Sequence, residues 1–202
     1  MGLPITKEKR YTVEEYFALS EAAEERYEFE YGELVAMGRT TDTHEDLAFN
    51  AKTILKRATR KKGCKVHQES VALEVEEKGK YYLPDVMLTC DERDHANRDI
   101  KRYPGLVIEV VSKSSVKRDR DEKFKAYFSL PSLKYYLLLS QDQVKVEVFE
   151  KREGQKGWIY DFFTEMTDVM ELEQLDIQLK VGDIYDDVEL IPDQQDQQSQ
   201  KD

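Results

Sequence analysis

Apolar residues recur at helical spacing in two segments of the first third of the chain. Asp42, with Glu45 three residues later, has the form of a capping box and predicts the start of a long helix. Gly63 is expected to end it. An equivalent box over residues 12–15 predicts a short helix over 13–19. The apolar face of the long helix is expected to comprise Leu47, Ala48, Ala51, Ile54, Leu55 and Ala58.

Apolar runs in the middle of the chain predict strands. Residues 71–75 alternate between apolar and smaller or charged side chains, which is typical of a half-buried strand. Residues 81–89 form a second run, and the turn at 77–80 predicts a hairpin between the two. Residues 106–111 are almost continuously apolar, as in a central strand, with Glu109 as the one interruption.

The remaining pattern predicts two β segments hinged at Gly32, a helix over 120–129 and three more strands. We expect those strands at 134–140, 144–149 and 158–163. From residue 42 to 140 the order is then helix, three strands, helix, strand, which indicates a three-layer α/β core. We expect a single domain over residues 1–190, with its core at about 42–150, and a disordered polar tail over 191–202.

Composition narrows the class of protein. The 202 residues carry a formal charge of −11, and 40% of them are hydrophobic, enough for a packed core. No apolar stretch approaches the roughly 20 residues of a membrane span, so no membrane partner is expected. The amino terminus lacks the apolar stretch of a signal peptide, and two cysteines make no disulfide framework, so a cytoplasmic location is the default expectation.

The net charge hides a segregated distribution. Residues 52–65 contain seven bases and no acids, residues 98–125 have a net charge of +4, and the rest of the chain carries −22. An acidic balance alone argues against a nucleic-acid partner. A basic centre between acidic ends, however, leaves DNA open and predicts salt-sensitive binding on one face.

Two carboxylates interrupt the predicted strands. Asp85 follows Pro84 inside the run 81–89, and Glu109 lies inside the run 106–111. A carboxylate rarely occupies a central strand unless it is paired, hydrogen-bonded or coordinating a metal. If the two strands are neighbours, both side chains can converge on one divalent ion, and oxygen ligands of this type favour Mg²⁺, with Mn²⁺ as a substitute.

Several segments together resemble one family. They are residues 26–33 (RYEFEYGE), Thr43-His44, 82–86 (YLPDV), 109–112 (EVVS), 119–123 (DRDEK) with Tyr127, and 133–137 (LKYYL). In this order and spacing they resemble the Uma-two family of endonucleases, within the restriction-endonuclease-like, PD-(D/E)xK, nuclease superfamily. The resemblance runs from about residue 11 to residue 190.

The resemblance implies a restriction-endonuclease-like α/β (α+β) core, with a mixed central sheet, helices on both sides and extra C-terminal strands. It also implies metal-dependent hydrolysis of DNA, with Asp85 and Glu109 as catalytic ligands of Mg²⁺ or Mn²⁺. The superfamily's usual lysine, two residues after the glutamate, is replaced by Val111. In the narrower family the matching lysine is on the next helix, here Lys123, which borders an apolar helix face and could reach the same site.

Four accessory residues are predicted on the same basis. Asp119 lies four residues before Lys123 and could hold its ammonium or a water. His44 and Glu28 match family positions, His44 as a supporting or phosphate-contacting group. The alternatives are a core or capping histidine and a solvated glutamate. Tyr127 is expected in the core, with its hydroxyl within reach of the site.

The expected contacts to the DNA backbone are basic residues of the two positive segments. They are Lys52, Lys56, Arg60, Lys113, Lys117, Arg118 and Arg120. No base-reading module is visible, so the sequence predicts no recognition sequence.

Three alternatives remain open from the sequence. Cys64, His67, Cys90 and His95 could form a zinc site if the strands next to them pair. The chain could also be a nuclease-like binding protein without catalysis, as the missing strand lysine suggests. Finally, acidic ends could dock on the basic segment of a second copy, giving a homo-oligomer such as a dimer.

Overall fold

Two β-sheets and the helices that cover them form the frame of the protein. The computed structural model describes residues 9–112, 118–152, 154 and 157–191. Most of the predicted polar tail, together with Lys113 and Lys117, lies outside these residues. The helices are α1 (Val13–Ala22), α2 (Asp42–Ala58), α3 (Phe124–Phe128) and α4 (Val181–Ile184), and a π-helical turn (Asp119–Lys123) leads directly into α3.

The strands of the described chain divide between two larger sheets and one small hairpin. The first sheet has the order β2-β1-β5-β4-β7, and the second has the order β11-β10-β9-β8-β6-β3. The strands are β1 (Tyr27–Glu30), β2 (Glu33–Ala36), β3 (Lys65–His67), β4 (Ala72–Glu76), β5 (Lys80–Tyr82), β6 (Val86–Thr89), β7 (Ile100–Lys101), β8 (Pro104–Val111), β9 (Tyr135–Ser140), β10 (Val146–Lys151), β11 (Trp158–Phe163), β12 (Val169–Leu172) and β13 (Ile177–Lys180).

The local signals for the first two helices are largely confirmed. The hydroxyl of Thr12 accepts from the backbone N–H of Glu15, and the Glu15 carboxylate accepts from that of Thr12, which completes the predicted capping box of α1. The box predicted at Asp42 is wrong by one residue, because the hydroxyl of Thr41 caps α2 by accepting from the N–H of His44. Helix α2 also ends at Ala58, before the predicted stop at Gly63.

The second sheet is the predicted mixed central sheet. Strand β8 runs parallel to β9 and antiparallel to β6. Because side chains alternate across a strand, Leu106 and Ile108 pack with α2 on one face, whereas Val107 and Val111 pack with Tyr127 on the other. Helices therefore cover both faces, as the fold class predicts.

The hairpin β12–β13 completes the layer on the α2 side. Its apolar side chains belong to the same buried cluster as the inner face of α2 and one face of β8. The sequence did not predict this hairpin; the C-terminal strands expected at 144–149 and 158–163 are β10 and β11. No helix among the described residues is long and apolar enough to cross a membrane.

The single strand predicted over 81–89 is wrong, because the chain changes sheets in its middle. Strand β5 pairs with β1 and β4 in the first sheet, and β6 pairs with β3 and β8 in the second. The residues between them include Pro84, which has no N–H to donate to a ladder. The prediction of a half-buried strand over 71–75 is also wrong. This strand, β4, lies between β5 and β7 in the first sheet and is buried on both faces.

The two cysteines are bonded to each other. Cys64 precedes β3, Cys90 follows β6, and these paired strands bring the two residues to a Cα–Cα distance of 4.0 Å. The zinc site considered for Cys64, His67, Cys90 and His95 is therefore wrong, because both sulfurs are used in the disulfide.

The disulfide is expected to stabilise the fold, because it closes a loop across a separation of 26 residues. Replacing both cysteines by serine should cost about 3 kcal/mol of unfolding free energy on loop-entropy grounds. Urea unfolding of the oxidised protein and the double variant measures this difference. A reductant should bring the wild-type protein to the variant's stability and leave the variant unchanged; equal midpoints for all samples would contradict the bond.

A second prediction concerns His67 on β3. Burial, with a smaller effect from Lys101, lowers the pKa of His67 from 6.5 to about 4. Between these two pH values the unfolded chain therefore binds a proton at His67 that the native state does not bind. The stability that the neutral, buried His67 contributes is thus lost as pH falls from about 6.5 to about 4. In urea unfolding, His67→Gln should flatten the pH dependence of the unfolding free energy in this window. The variant His95→Gln, at an exposed position, serves as the control and should leave that dependence as in wild type. Identical pH profiles for His67→Gln and wild type would refute the prediction.

Candidate active site

A buried lysine stands at the centre of the candidate site. The Nζ atom of Lys123, in the π-helical turn, lies 3.0 Å from Oε1 of Glu109 and 3.3 Å from Oε1 of Glu28. It lies 3.7 Å from Oδ1 of Asp119, four residues earlier in the same turn. Burial alone would lower the pKa of Lys123, but the surrounding carboxylates raise it well above its ordinary value, so the ammonium stays charged.

Glu109 lies on the central strand β8 and is 2% exposed. Its Oε1 accepts hydrogen bonds from Nζ of Lys123 and, at 2.7 Å, from the hydroxyl of Tyr127. Burial and the nearby carboxylates, Asp85 first among them, raise the pKa of Glu109 well above its ordinary range, although Lys123 opposes the rise. Glu109 is thus a carboxylate held in place from two sides.

Asp85 lies where the chain passes from the first sheet to the second. The register of β6 and β8 pairs Val86 with Ile108, so one residue further Asp85 faces Glu109. Side chains at facing positions have Cβ atoms about 4.5–5.5 Å apart, close enough for two carboxylates to share one ion. The backbone N–H of Val110 donates to Oδ2 of Asp85 at 2.6 Å and fixes the carboxylate in this place.

His44 connects Asp85 to the start of α2. Its Nε2 lies 3.1 Å from Oδ2 of Asp85. Burial would raise the pKa of Asp85, but the hydrogen bond and charge of His44, with Lys123 and the Val110 amide, hold it below its ordinary value. Conversely, burial would lower the pKa of His44, and the two neighbouring carboxylates, Asp85 and Glu69, raise it instead.

Glu69 and Arg26 complete this end of the site, and neither was predicted as a site residue. Glu69 has a left-handed backbone (φ 48°), and its N–H donates to the carbonyl of Pro84, which brings it beside Asp85. Arg26 forms a close ion pair with its Oε2. The loop around Glu69 shows no hydrophobic periodicity or spacing that would have singled it out.

Glu28 reaches the site from strand β1 of the first sheet and is fully buried. It accepts from the N–H of Leu83 at 3.2 Å and pairs with Arg118, whose Nη2 lies 2.6 Å from Oε2. The alternative of a solvated glutamate is therefore wrong. Arg118, expected on the DNA backbone, also contacts Glu30 and so lies within the acidic cluster.

The other predicted backbone contacts within the described residues are Lys52, Lys56, Arg60 and Arg120. Lys52 is half-buried, whereas Lys56 and Arg60 are exposed. At 1.5 Å per residue, Lys52 and Lys56 lie about 12 and 18 Å along the helix from His44. Arg120 is exposed and forms a close ion pair with Glu147 on β10.

The position that usually holds the superfamily's lysine is part of the core here. Val111 packs in the same buried cluster as Tyr127 and Leu138. The ammonium comes instead from Lys123, which the π-helical turn places next to Glu109. π-helical turns are rare and concentrate at functional sites.

The described residues form a mixed-sheet fold with an acidic, lysine-containing cluster, and comparisons with known proteins bear on its family and its fold. Residues 13–182 match the Uma2 family, described as "Putative restriction endonuclease". The chain therefore belongs to this family. It is 29% identical over 172 residues to the uncharacterized protein slr1290 of Synechocystis sp., covering 85% of this chain and 90% of that protein. It is 30% identical over 151 residues to sll1609 of the same organism, covering 73% and 84%.

A solved structure shares the fold. It is the crystal structure of a "putative nuclease belonging to DUF820" from Anabaena variabilis, with a TM-score of 0.67 and 15% identity. The match covers 87% of this chain and 97% of that one. At this identity the similarity supports the fold, and the site rests on the contacts described above.

The cluster makes Lys123 a stability determinant as well. Lys123→Met should cost about 3–5 kcal/mol of unfolding free energy, because the buried Glu109 would lose its ammonium partner and face the neighbouring carboxylates without it. Urea unfolding tests this against Lys125→Met, an exposed lysine two residues away. Adding Glu109→Gln to Lys123→Met should recover part of the loss. Equal stabilities for the two lysine variants would contradict the central role of the ammonium.

Proposed function

We propose that the protein is a divalent-metal-dependent endonuclease that hydrolyses phosphodiester bonds of DNA. The observation that carries the proposal is the meeting of three groups: Asp85 directly before β6, Glu109 on the neighbouring strand β8, and the Lys123 ammonium 3.0 Å from Glu109. Membership of the Uma2 family, whose description names restriction endonucleases, supports the same reaction class.

The residues present fit the metal that the family resemblance implies. Asp85 and Glu109 occupy facing positions, and carboxylate oxygens are the ligands that Mg²⁺ and Mn²⁺ prefer. A bound ion would lower the pKa of a coordinated water and stabilise charge on the phosphate.

The protein groups have separable tasks in this reaction. Lys123 keeps a positive charge in a site screened from water, where it can stabilise the additional negative charge of the transition state. Tyr127 and the Val110 amide orient Glu109 and Asp85, so little reorganisation is needed when substrate binds. The exposed bases on and just beyond α2 provide a charged face for the DNA backbone.

A second candidate function is favoured by one specific observation. Asp85, Glu109 and Lys123 are each 5% exposed or less, and Arg118 is paired within the cluster. Such a closed site, whose cations Lys123 and Arg118 are already paired with its own carboxylates, also suits a nuclease-like binding module that has no catalytic activity. The two functions differ in whether DNA is cut or only bound.

Cleavage of plasmid and single-stranded DNA, with Mg²⁺ or Mn²⁺ and with EDTA, distinguishes them. The wild-type protein should cut only with metal. Asp85→Asn, Glu109→Gln and Lys123→Met should each lower the rate at least about 100-fold, the order expected when a group that stabilises transition-state charge is lost. Asp161→Asn, an exposed carboxylate on β11, should cut at the wild-type rate. Binding without metal-dependent cleavage would favour the binding module.

A further inference from the structure

A second set of metal-ligating side chains adjoins Asp85. Within the described residues, His44, Glu69 and Asp85 are the one group of three such residues whose ligand atoms all lie within 4.8 Å of one another. The set combines an imidazole nitrogen with two carboxylates and draws on the start of α2, the loop before β4 and the passage between the two sheets. It includes neither Glu109 nor Lys123.

The spacing of two of these atoms suits a common ion. Nε2 of His44 and Oδ2 of Asp85 are 3.1 Å apart. Two ligands at right angles around an ion, each bound at about 2.1 Å, are about 3.0 Å apart. An octahedral ion could therefore bind between them with little movement of either side chain.

Two buried atoms at this place have no hydrogen-bond partner among the described residues. They are Nδ1 of His44 and Oε1 of Glu69, which lie 3.7 Å apart, too far for a hydrogen bond. His44 is only 9% exposed, so water does not readily compensate. An ion held at Nε2 of His44 cannot also bind Nδ1, which lies on the other side of the ring, so Oε1 of Glu69 is the atom of the two that can reach it. Burying such an oxygen without a partner is costly, and a bound cation removes this cost.

Arg26 leaves Glu69 available for such a ligand. The ion pair uses Oε2, so Oε1 remains directed at His44. With a neutral imidazole, the set offers an ion two negative charges, and the nearby guanidinium offsets part of them. This charge suits a divalent cation.

We propose that His44, Glu69 and Asp85 bind a divalent cation of the Mn²⁺ class, at a site that shares Asp85 with the Asp85–Glu109 pair. Imidazole is a poorer ligand for Mg²⁺ than for transition metals, so this site should prefer Mn²⁺. The use of the ion in catalysis rests on the proposed nuclease function, whereas its binding does not.

Titration of the metal-free, full-length protein with MnCl₂, followed by the EPR signal of free Mn²⁺, tests the proposal without DNA. Glu69→Gln and His44→Asn should each weaken one Mn²⁺ site at least about tenfold, or 1.4 kcal/mol. Asp46→Asn, an exposed carboxylate on the same helix as His44, should bind as wild type does. Mg²⁺ should displace Mn²⁺ from this site only at a large excess.

A second measurement does not depend on any variant folding. Pulsed EPR of Mn²⁺ bound to the wild-type protein should show a ¹⁴N coupling from a directly bound imidazole, and this coupling should disappear in folded His44→Asn. Absence of the coupling in wild type, or its survival in that variant, would overturn the proposal. So would folded Glu69→Gln protein that binds Mn²⁺ with wild-type affinity.

The outcomes separate this site from the proposed function. Mn²⁺ binding through His44 and Glu69 without DNA cleavage would uphold the site and refute the nuclease. Metal-dependent cleavage by a protein whose Mn²⁺ shows no nitrogen ligand would support the nuclease and refute the site. If His44 serves only as a hydrogen-bonded partner of Asp85, its replacement will leave the Mn²⁺ isotherm unchanged.

Discussion

The site depends on one buried ammonium and the carboxylates that surround it. Lys123 lies within 3.7 Å of acidic groups from strand β1, strand β8 and its own π-helical turn. Neither the lysine nor these carboxylates would be stable at such depth alone, because an unpaired buried charge costs several kcal/mol. The charges therefore require one another, and the elements that carry them must meet at this point.

This requirement explains how the two sheets are arranged. Glu28 belongs to the first sheet and Glu109 to the second, so the ion pairs of Lys123 hold the two sheets together. The chain passes from one sheet to the other at Pro84 and Asp85, where the pairing of β5 with β1 ends and that of β6 with β8 begins. This passage therefore lies at the same junction between the sheets. The charged side chains of the candidate site thus collect where the sheets meet, whereas the two larger hydrophobic clusters lie on either side of the second sheet.

The features predicted well from sequence were those with local or periodic causes. The apolar face of α2, the central strand and the unusual carboxylate in it all follow from residue spacing, and the fold class is confirmed by the sheet order. The sheet change at Pro84 was missed because both halves of 81–89 are apolar. Glu69 and Arg26 were missed because long-range contacts alone bring them to Asp85. Arg118 was expected to face DNA, but the buried acids of β1 attract it inward.

Under the proposed function, Lys123 takes the place of a lysine at Val111, and this has a consequence for how related proteins are recognised. What the chemistry requires is a cation at a point in space, and the strand and the following π-helical turn are alternative routes to that point. A linear motif assumes only the first route. Chains that have moved the lysine to another element would be discarded by such a motif as inactive, although a three-dimensional template built on charge positions would retain them.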